Sequence, residues 1–392
     1  MNHNPSSSAP LRKSQFWCDP RVRALVWQGA LLAMLVAAAS FLVANVLANL
    51  EARNIASGFG FLRREAGFAI GESLIAYEPS DSYGRAILVG LLNTLRVSAV
   101  CIVLATLLGT LLGIARLSSN WLVARLAGGY VELMRNIPLL LQLLFWYAIL
   151  TENLPGPRQA LQPLPGVYLS NRGVALPALQ GESLLGLLTG FALAVPVVVY
   201  WLNRTRSGSR PFYLTVAFAA VALLGGSLAG WMLAGGGAIV LDQPVLRGFN
   251  FRGGITISPE FAALALGLVV YTSAFTAEVV RAGILAVGRG QWAAAAALGL
   301  SRRAALRHVV LPQALRVIVP PMTSQYLNVT KNSSLAIAIG YPDIVSVVNT
   351  TLNQTGQAIE GIAIIMAAYL CVSLLIALAM NLYNRRIALV ER

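Results

Sequence analysis

Lys331 stands in the run NVTKNSSLAIAIG, well inside a long apolar stretch of this 392-residue chain. An ammonium at bilayer depth is costly unless it faces a polar path or a partner. Asn328, Asn332, Ser333 and Ser334 surround it with hydrogen-bond donors and acceptors. That set suits a translocation route for a zwitterionic solute. The other reading is an internal pair, or a place near the outer interface, that only organises the bundle. Pro320 and Pro321 precede Lys331 by about three turns and are expected to bend the same helix. Two further charge motifs, Glu132–Arg135 and Glu278–Arg281, have i, i+3 spacing, which puts each pair on one helix face. They read either as interfacial anchors or as supports for a neighbouring loop.

Bond-making chemistry is not written in the chain. Its histidines are His3 and His308, and Cys18, Cys101 and Cys371 lie far apart, so neither a metal centre nor a triad is expected. No segment reads G-x-x-x-x-G-K-[ST]. The expectation is a protein that is not an enzyme and binds no cofactor. Any ATP-Mg that drives it must be used by a separate ATPase chain.

The elements that position these residues are membrane helices. With 57% hydrophobic and 11% charged residues, the composition lies far from that of soluble domains. Eight spans are expected, at 24–49, 86–115, 128–150, 183–203, 212–234, 260–283, 314–340 and 361–384. The net charge of +14 comes almost wholly from scattered arginines, which argues against a nucleic-acid surface. Placing Gln291–Pro312 in the cytoplasm puts most of the 29 basic residues inside, as the positive-inside bias requires. Both termini are then cytoplasmic. Arg96, Arg135 and Lys331 remain at membrane depth or near its edge. The outside segments 51–85, 151–182 and 235–259 read as loops with short helices. Gly109 and Gly113 form a small-xxx-small pair that permits close helix approach, and ordinary packing explains it better than a dimer motif.

Between two of these spans lies QWAAAAALGLSRRAALRHVVLP, residues 291–312. Its alanines predict a short helix over Ala293–Leu298 that ends at Gly299. Ser301 is expected to cap a second short helix, which Pro312 limits. So ordered a piece outside the lipid calls for a docking partner.

The residues now on the page resemble the membrane subunits of polar amino-acid ABC importers, the histidine/glutamine-type permeases. The likeness is carried by GLLNTLRVS at 90–98, YVELMRNIPLLLQLLFWY at 130–147, YTSAFTAEVVRAGI at 271–284, the 291–312 loop and TKNSSLAIAIGYPDI at 330–344. NIASGFGFLRREAGFAIGESLI at 54–75 and GFNFRGGITISPEF at 248–261 are similar to the longer, Q-type permease subunit of the general L-amino-acid importer. The resemblance implies an all-α polytopic fold in which five helices make a type I importer core. It implies a tail at 1–23, an added helix and periplasmic segment at 24–85, a permease domain at 86–384 with an insertion at 151–258, and a tail at 385–392. It also implies a second, non-identical permease, a pair of cytoplasmic ATPases and a periplasmic binding protein, in a bacterial inner membrane. Trp292, Ala293, Ala294, Ala295, Gly299, Leu300, Leu311 and Pro312 would form the ATPase-coupling loop. Family loops begin with Glu where this chain has Ala293, which removes one charged contact and leaves docking by shape. A self-sufficient transporter driven by protons or sodium is the competing reading. It would call for acidic residues at mid-membrane and repeated broken helices.

Overall fold

Apolar runs of twenty or more residues can satisfy their backbone groups in lipid only as helices, and the computed structural model folds them so. The structure describes residues 20–52, 58–180, parts of 189–198, 212–235 and 240–387. The helices are α1 (Pro20–Ala52), α2 (Tyr83–Ala115), α3 (Trp121–Asn136), α4 (Leu139–Ala148), α5 (Phe212–Leu233) and α6 (Pro259–Leu285). After them come α7 (Arg289–Ala297), α8 (Arg302–Ala305), α9 (Leu311–Asn332), α10 (Ile344–Thr355) and α11 (Ala358–Ile387).

Among the described residues, four helices are long and apolar enough to cross a membrane: Val22–Val46, Tyr83–Ala115, Pro259–Leu285 and Ala358–Arg385. Two bent pairs raise the number to six. The expected span at 212–234 is α5, whose apolar part Ala217–Leu233 is shorter. The expected span at 183–203 falls largely outside the described residues, as do most of the two tails.

Two expectations are corrected by proline and glycine. The single span at 128–150 is in fact α3 and α4, which meet at 102°. Pro138 forces Ile137 into an extended backbone (φ −93°, ψ 127°), which ends the first helix. The carbonyls freed there are satisfied by Gln142, whose Nε2 donates to Met134 O at 2.9 Å and Ile137 O at 3.0 Å. Pro320 and Pro321, by contrast, do not break α9, which stays helical from Leu311 to Asn332. The 52° bend comes later, after a 3₁₀ turn at Ser333–Ile339. There Gly340 adopts φ +76° and Asp343 caps α10 by accepting from Ser346 N.

The core is built on α2 and α6, which run parallel. A Cβ at Gly109 would lie 2.5 Å from Thr276 Cβ, and one at Gly113 would lie 2.7 Å from Ala277 O. The two glycines therefore allow backbone contact that no larger residue permits. α4 and α9 pack antiparallel on α6, burying Leu143, Leu264, Leu268 and Val329. Residues 58–82 fold over the start of α2, where Phe61, Ala86, Ile87 and Ile344 form a second cluster.

Two segments expected as loops with short helices also carry strands, and the first keeps a short 3₁₀ turn at Pro157–Gln159. β1 (Leu161–Leu164), β2 (Val167–Ser170), β3 (Gly173–Leu176) and β4 (Ala178–Gln180) follow α4. β5 (Val240–Asp242), β6 (Val245–Arg247), β7 (Asn250–Arg252) and β8 (Ile255–Ile257) precede α6. An antiparallel sheet in the order β1-β2-β3-β8 joins the two halves, with Val174 opposite Ile257. β4–β5 and β6–β7 form two further ribbons.

Candidate coupling and translocation surfaces

The hairpin after α6 is ordered by its own end signals. α7 begins at Arg289, one turn earlier than the alanines alone suggest, and ends with Leu298 as C-cap. Gly299 takes φ +73°. Its N–H donates to Ala296 O at 2.9 Å, and Leu300 N–H donates to Ala295 O at 3.1 Å. This pair of bonds is the Schellman arrangement, which satisfies carbonyls that the helix end would otherwise leave open. Ser301 Oγ accepts from Ala304 N at 3.3 Å and caps α8. Pro312 does not limit this second helix as expected. The chain passes through a π turn at Leu306–Val310 directly into α9, and Pro312 lies in that helix's first turn, where no N–H is needed.

Only part of the hairpin is held by this chain. Trp292 packs against the cluster of Val287, Val310, Ala314 and Ile318, while Ala295 and Ala305 are buried. Gln313 Nε2 donates to Gln291 Oε1 at 3.2 Å. Ala293, Ala294, Gly299, Leu300 and Leu311 are exposed and Pro312 is half-buried. The most exposed apolar side chain of the tip is Leu298, at 79%, which sequence reasoning treated only as a helix end. Its signal was available: a large apolar residue just before a terminating glycine, with no face of its own to pack on.

The charge pairs differ from each other. Glu278 accepts from Arg281 Nη2 at 2.5 Å and also from Arg116, brought across by the end of α2. No ion pair joins Glu132 and Arg135 among the described residues. Arg135 instead lies 5.2 Å from the ring centre of Phe275, so an aromatic face on α6 takes the place of the expected carboxylate. Arg96 is paired with Glu72 at 3.3 Å and stacks 4.5 Å over Phe261.

α9 has two unlike faces. Ala314, Ile318, Met322 and Val329 are buried on one. Val317, Pro320, Pro321, Ser324, Asn328 and Lys331 are exposed on the other, at helical spacing. Lys331 makes no ion pair among the described residues. The expected pathway group is therefore divided. Asn328 and Lys331 share the exposed stripe, and Asn332 is half-buried. Ser333 is buried with its Oγ donating to Thr330 O at 2.7 Å, and Ser334 Oγ donates to Lys331 O at 2.7 Å.

Comparisons with known proteins place the whole chain. The family described as "Binding-protein-dependent transport system inner membrane component" matches residues 102–389. YhdX of Escherichia coli K12, named as a candidate amino-acid ABC transporter permease, is 50% identical over 398 residues, covering 100% of both chains. The general L-amino acid transport system permease AapQ of Rhizobium johnstonii is 44% identical over 402 residues, again covering 100% of both. BztB of Rhodobacter capsulatus, a glutamate/glutamine/aspartate/asparagine transport system permease, is 40% identical over 426 residues and 98% of both.

Proposed function

The chain belongs to the binding-protein-dependent transport system inner membrane components, and from that premise we propose that it is a permease subunit of an ATP-driven importer of L-amino acids, polar and acidic ones included. The names of the relatives support the substrate class. In this reading the protein crosses a bacterial inner membrane eight times, with both termini in the cytoplasm. Residues 24–85 and the insertion at 151–258 are additions to a five-helix core made of α2, the α3–α4 pair, α6, the α9–α10 pair and α11. The α7–α8 hairpin lies in the cytoplasm and the strand-bearing insertion lies outside.

The observation that carries the proposal is the hairpin. A helix anchored from below by Trp292 and closed by a Schellman turn holds Leu298 out into solvent, uncovered by any of the described residues. Such a tip is suited to a groove in an ATPase that this chain does not contain. ATP-Mg is then used by that partner, as a pair of nucleotide-binding subunits, and their closure is transmitted through Trp292 and α9. The polar stripe of α9 is the second support. Ser324, Asn328 and Lys331 cannot face lipid without cost, so they face a path shared with a second permease. The departure at Ala293 suits a non-identical partner that supplies the charged form of the contact.

Purification of the intact assembly, with identification of every copurifying chain, tests this directly. An ATPase, a second permease-type chain and a soluble binding protein are expected. Uptake by this chain alone under an ion gradient would overturn the reading. Lys331→Met is expected to slow uptake by tenfold or more without loss of assembly, and an unchanged rate would reduce Lys331 to a structural role.

A further inference from the structure

We propose that the strand-built insertion between α4 and α6 is a docking platform for an acidic face of the soluble binding protein; this rests on the importer reading above. Arg158, Arg172, Arg247 and Arg252 are all exposed on it, and none forms an ion pair among the described residues. Asp242 is half-buried, and its Oδ2 accepts from Gly254 N at 2.7 Å within the fold. Glu152 is exposed, but it precedes the first strand. Four arginines without an ion pair among the described residues, on the side that the positive-inside bias depletes, call for a partner.

The form of the patch favours a protein over a lipid surface. Arg158 stacks 4.7 Å over Phe249, which is itself 70% exposed. Beside it Tyr168 and Phe251 stack at 4.6 Å. Arg158, Tyr168, Phe251 and Leu246 border a cavity of about 280 Å³, the size of a few side chains. Arginine and aromatic residues around a pocket are the composition that dominates protein interfaces. A bilayer would ask for a flat apolar face with charges at one height, whereas Arg158 lies in a helical turn at Pro157–Gln159, Arg172 between β2 and β3, and Arg247 and Arg252 in the β6–β7 ribbon.

The platform is also built into the core without slack. β8 pairs with β3, and the missing Cβ of Gly173 lets the Ile257 carbonyl approach. The next residue, Ser258, caps α6 by accepting from Phe261 N at 3.0 Å, and its own N–H donates to Glu72 Oε1 at 3.1 Å. The far end of α6, about 40 Å away at 1.5 Å per residue, adjoins the α7–α8 hairpin. A load on the sheet therefore bears on the helix that leads to the hairpin.

The test uses the intact transporter in nanodiscs and the purified binding protein of the same import system, read as stimulated ATP hydrolysis. R158Q/R247Q/R252Q is expected to raise the half-saturating binding-protein concentration about tenfold, and R158E/R247E/R252E to raise it further, with basal hydrolysis unchanged. For the unaltered protein the same value is expected to rise from about 50 to about 300 mM salt, and much less so for the glutamine variant. Unchanged half-saturation in the variants, or no salt dependence in the unaltered protein, would overturn the proposal. So would a variant that alters only binding to vesicles of anionic lipid, since the occupant would then be the bilayer. If no binding protein stimulates the unaltered transporter, the importer reading itself fails.

Discussion

α6 and α11 would both pass as membrane spans, yet 61% of the apolar window of α6 is buried within the chain against 6% for α11. α1 buries none of its window. The more buried helix is the less apolar one. α6 hides Thr272, Ser273 and Thr276 and receives Gly109 and Gly113 of α2, whereas α11 presents Leu370, Leu374, Leu375 and Leu378 outward. In lipid there is no hydrophobic drive to bring helices together, so small and hydroxyl-bearing residues mark the packed core, and leucine marks the surface. The same contrast is the ground for the proposal that the polar exposed stripe of α9 faces a path and not lipid.

The sharpest way to break this contrast is to fill the α2–α6 seam. Gly109→Leu must displace Thr276 and the Ser273 carbonyl. It is expected to destabilise the subunit by about 3 kcal/mol, seen as a lost or lowered melting transition in detergent. Gly29→Leu in α1, where a Cβ meets nothing, is the matched control and should leave melting unchanged. Next in size is Glu278→Gln, which takes the carboxylate from Arg116 and Arg281 at once. The site is partly exposed, so its effect should fall between the surface and buried limits, at about 2 kcal/mol. The corresponding Glu132→Gln should shift melting far less.

Gly299→Val comes third. A β-branched residue at φ +73° costs about 1–2 kcal/mol locally. Faster amide exchange over 295–301 is expected with an intact global melt. Smallest is Leu35→Ala in α1, expected within about 0.5 kcal/mol of the unaltered protein. A larger loss there would mean that α1 packs on something within the subunit, contrary to its exposure.

What could be read from the residue order alone follows the range of the forces involved. The Gly299 turn and the Ser301 cap are settled by neighbours within five positions, and both were legible. So was the Glu278–Arg281 pair. Arg116, which joins that pair from 162 positions away, was not, because nothing local distinguishes it from an arginine facing headgroups. The exchange of Glu132 for Phe275 as the neighbour of Arg135 is hidden for the same reason. The strands were missed because runs of three or four residues are too short to show an alternating pattern. The break at Ile137–Pro138 was readable in principle. Proline constrains the residue before it, but the unbroken apolar run around it suggested a single span.

The account turns on the claim that the α7–α8 tip couples to a separate ATPase, and Leu298 is the residue to ask. A single cysteine placed there, in the intact assembly lacking its other cysteines, should form a disulfide with a cysteine lining the ATPase groove. The yield should change between nucleotide-free and ATP-bound states, while the same probe at Leu35 gives no product. Absence of any crosslink from position 298, with hydrolysis and uptake still coupled, would contradict it.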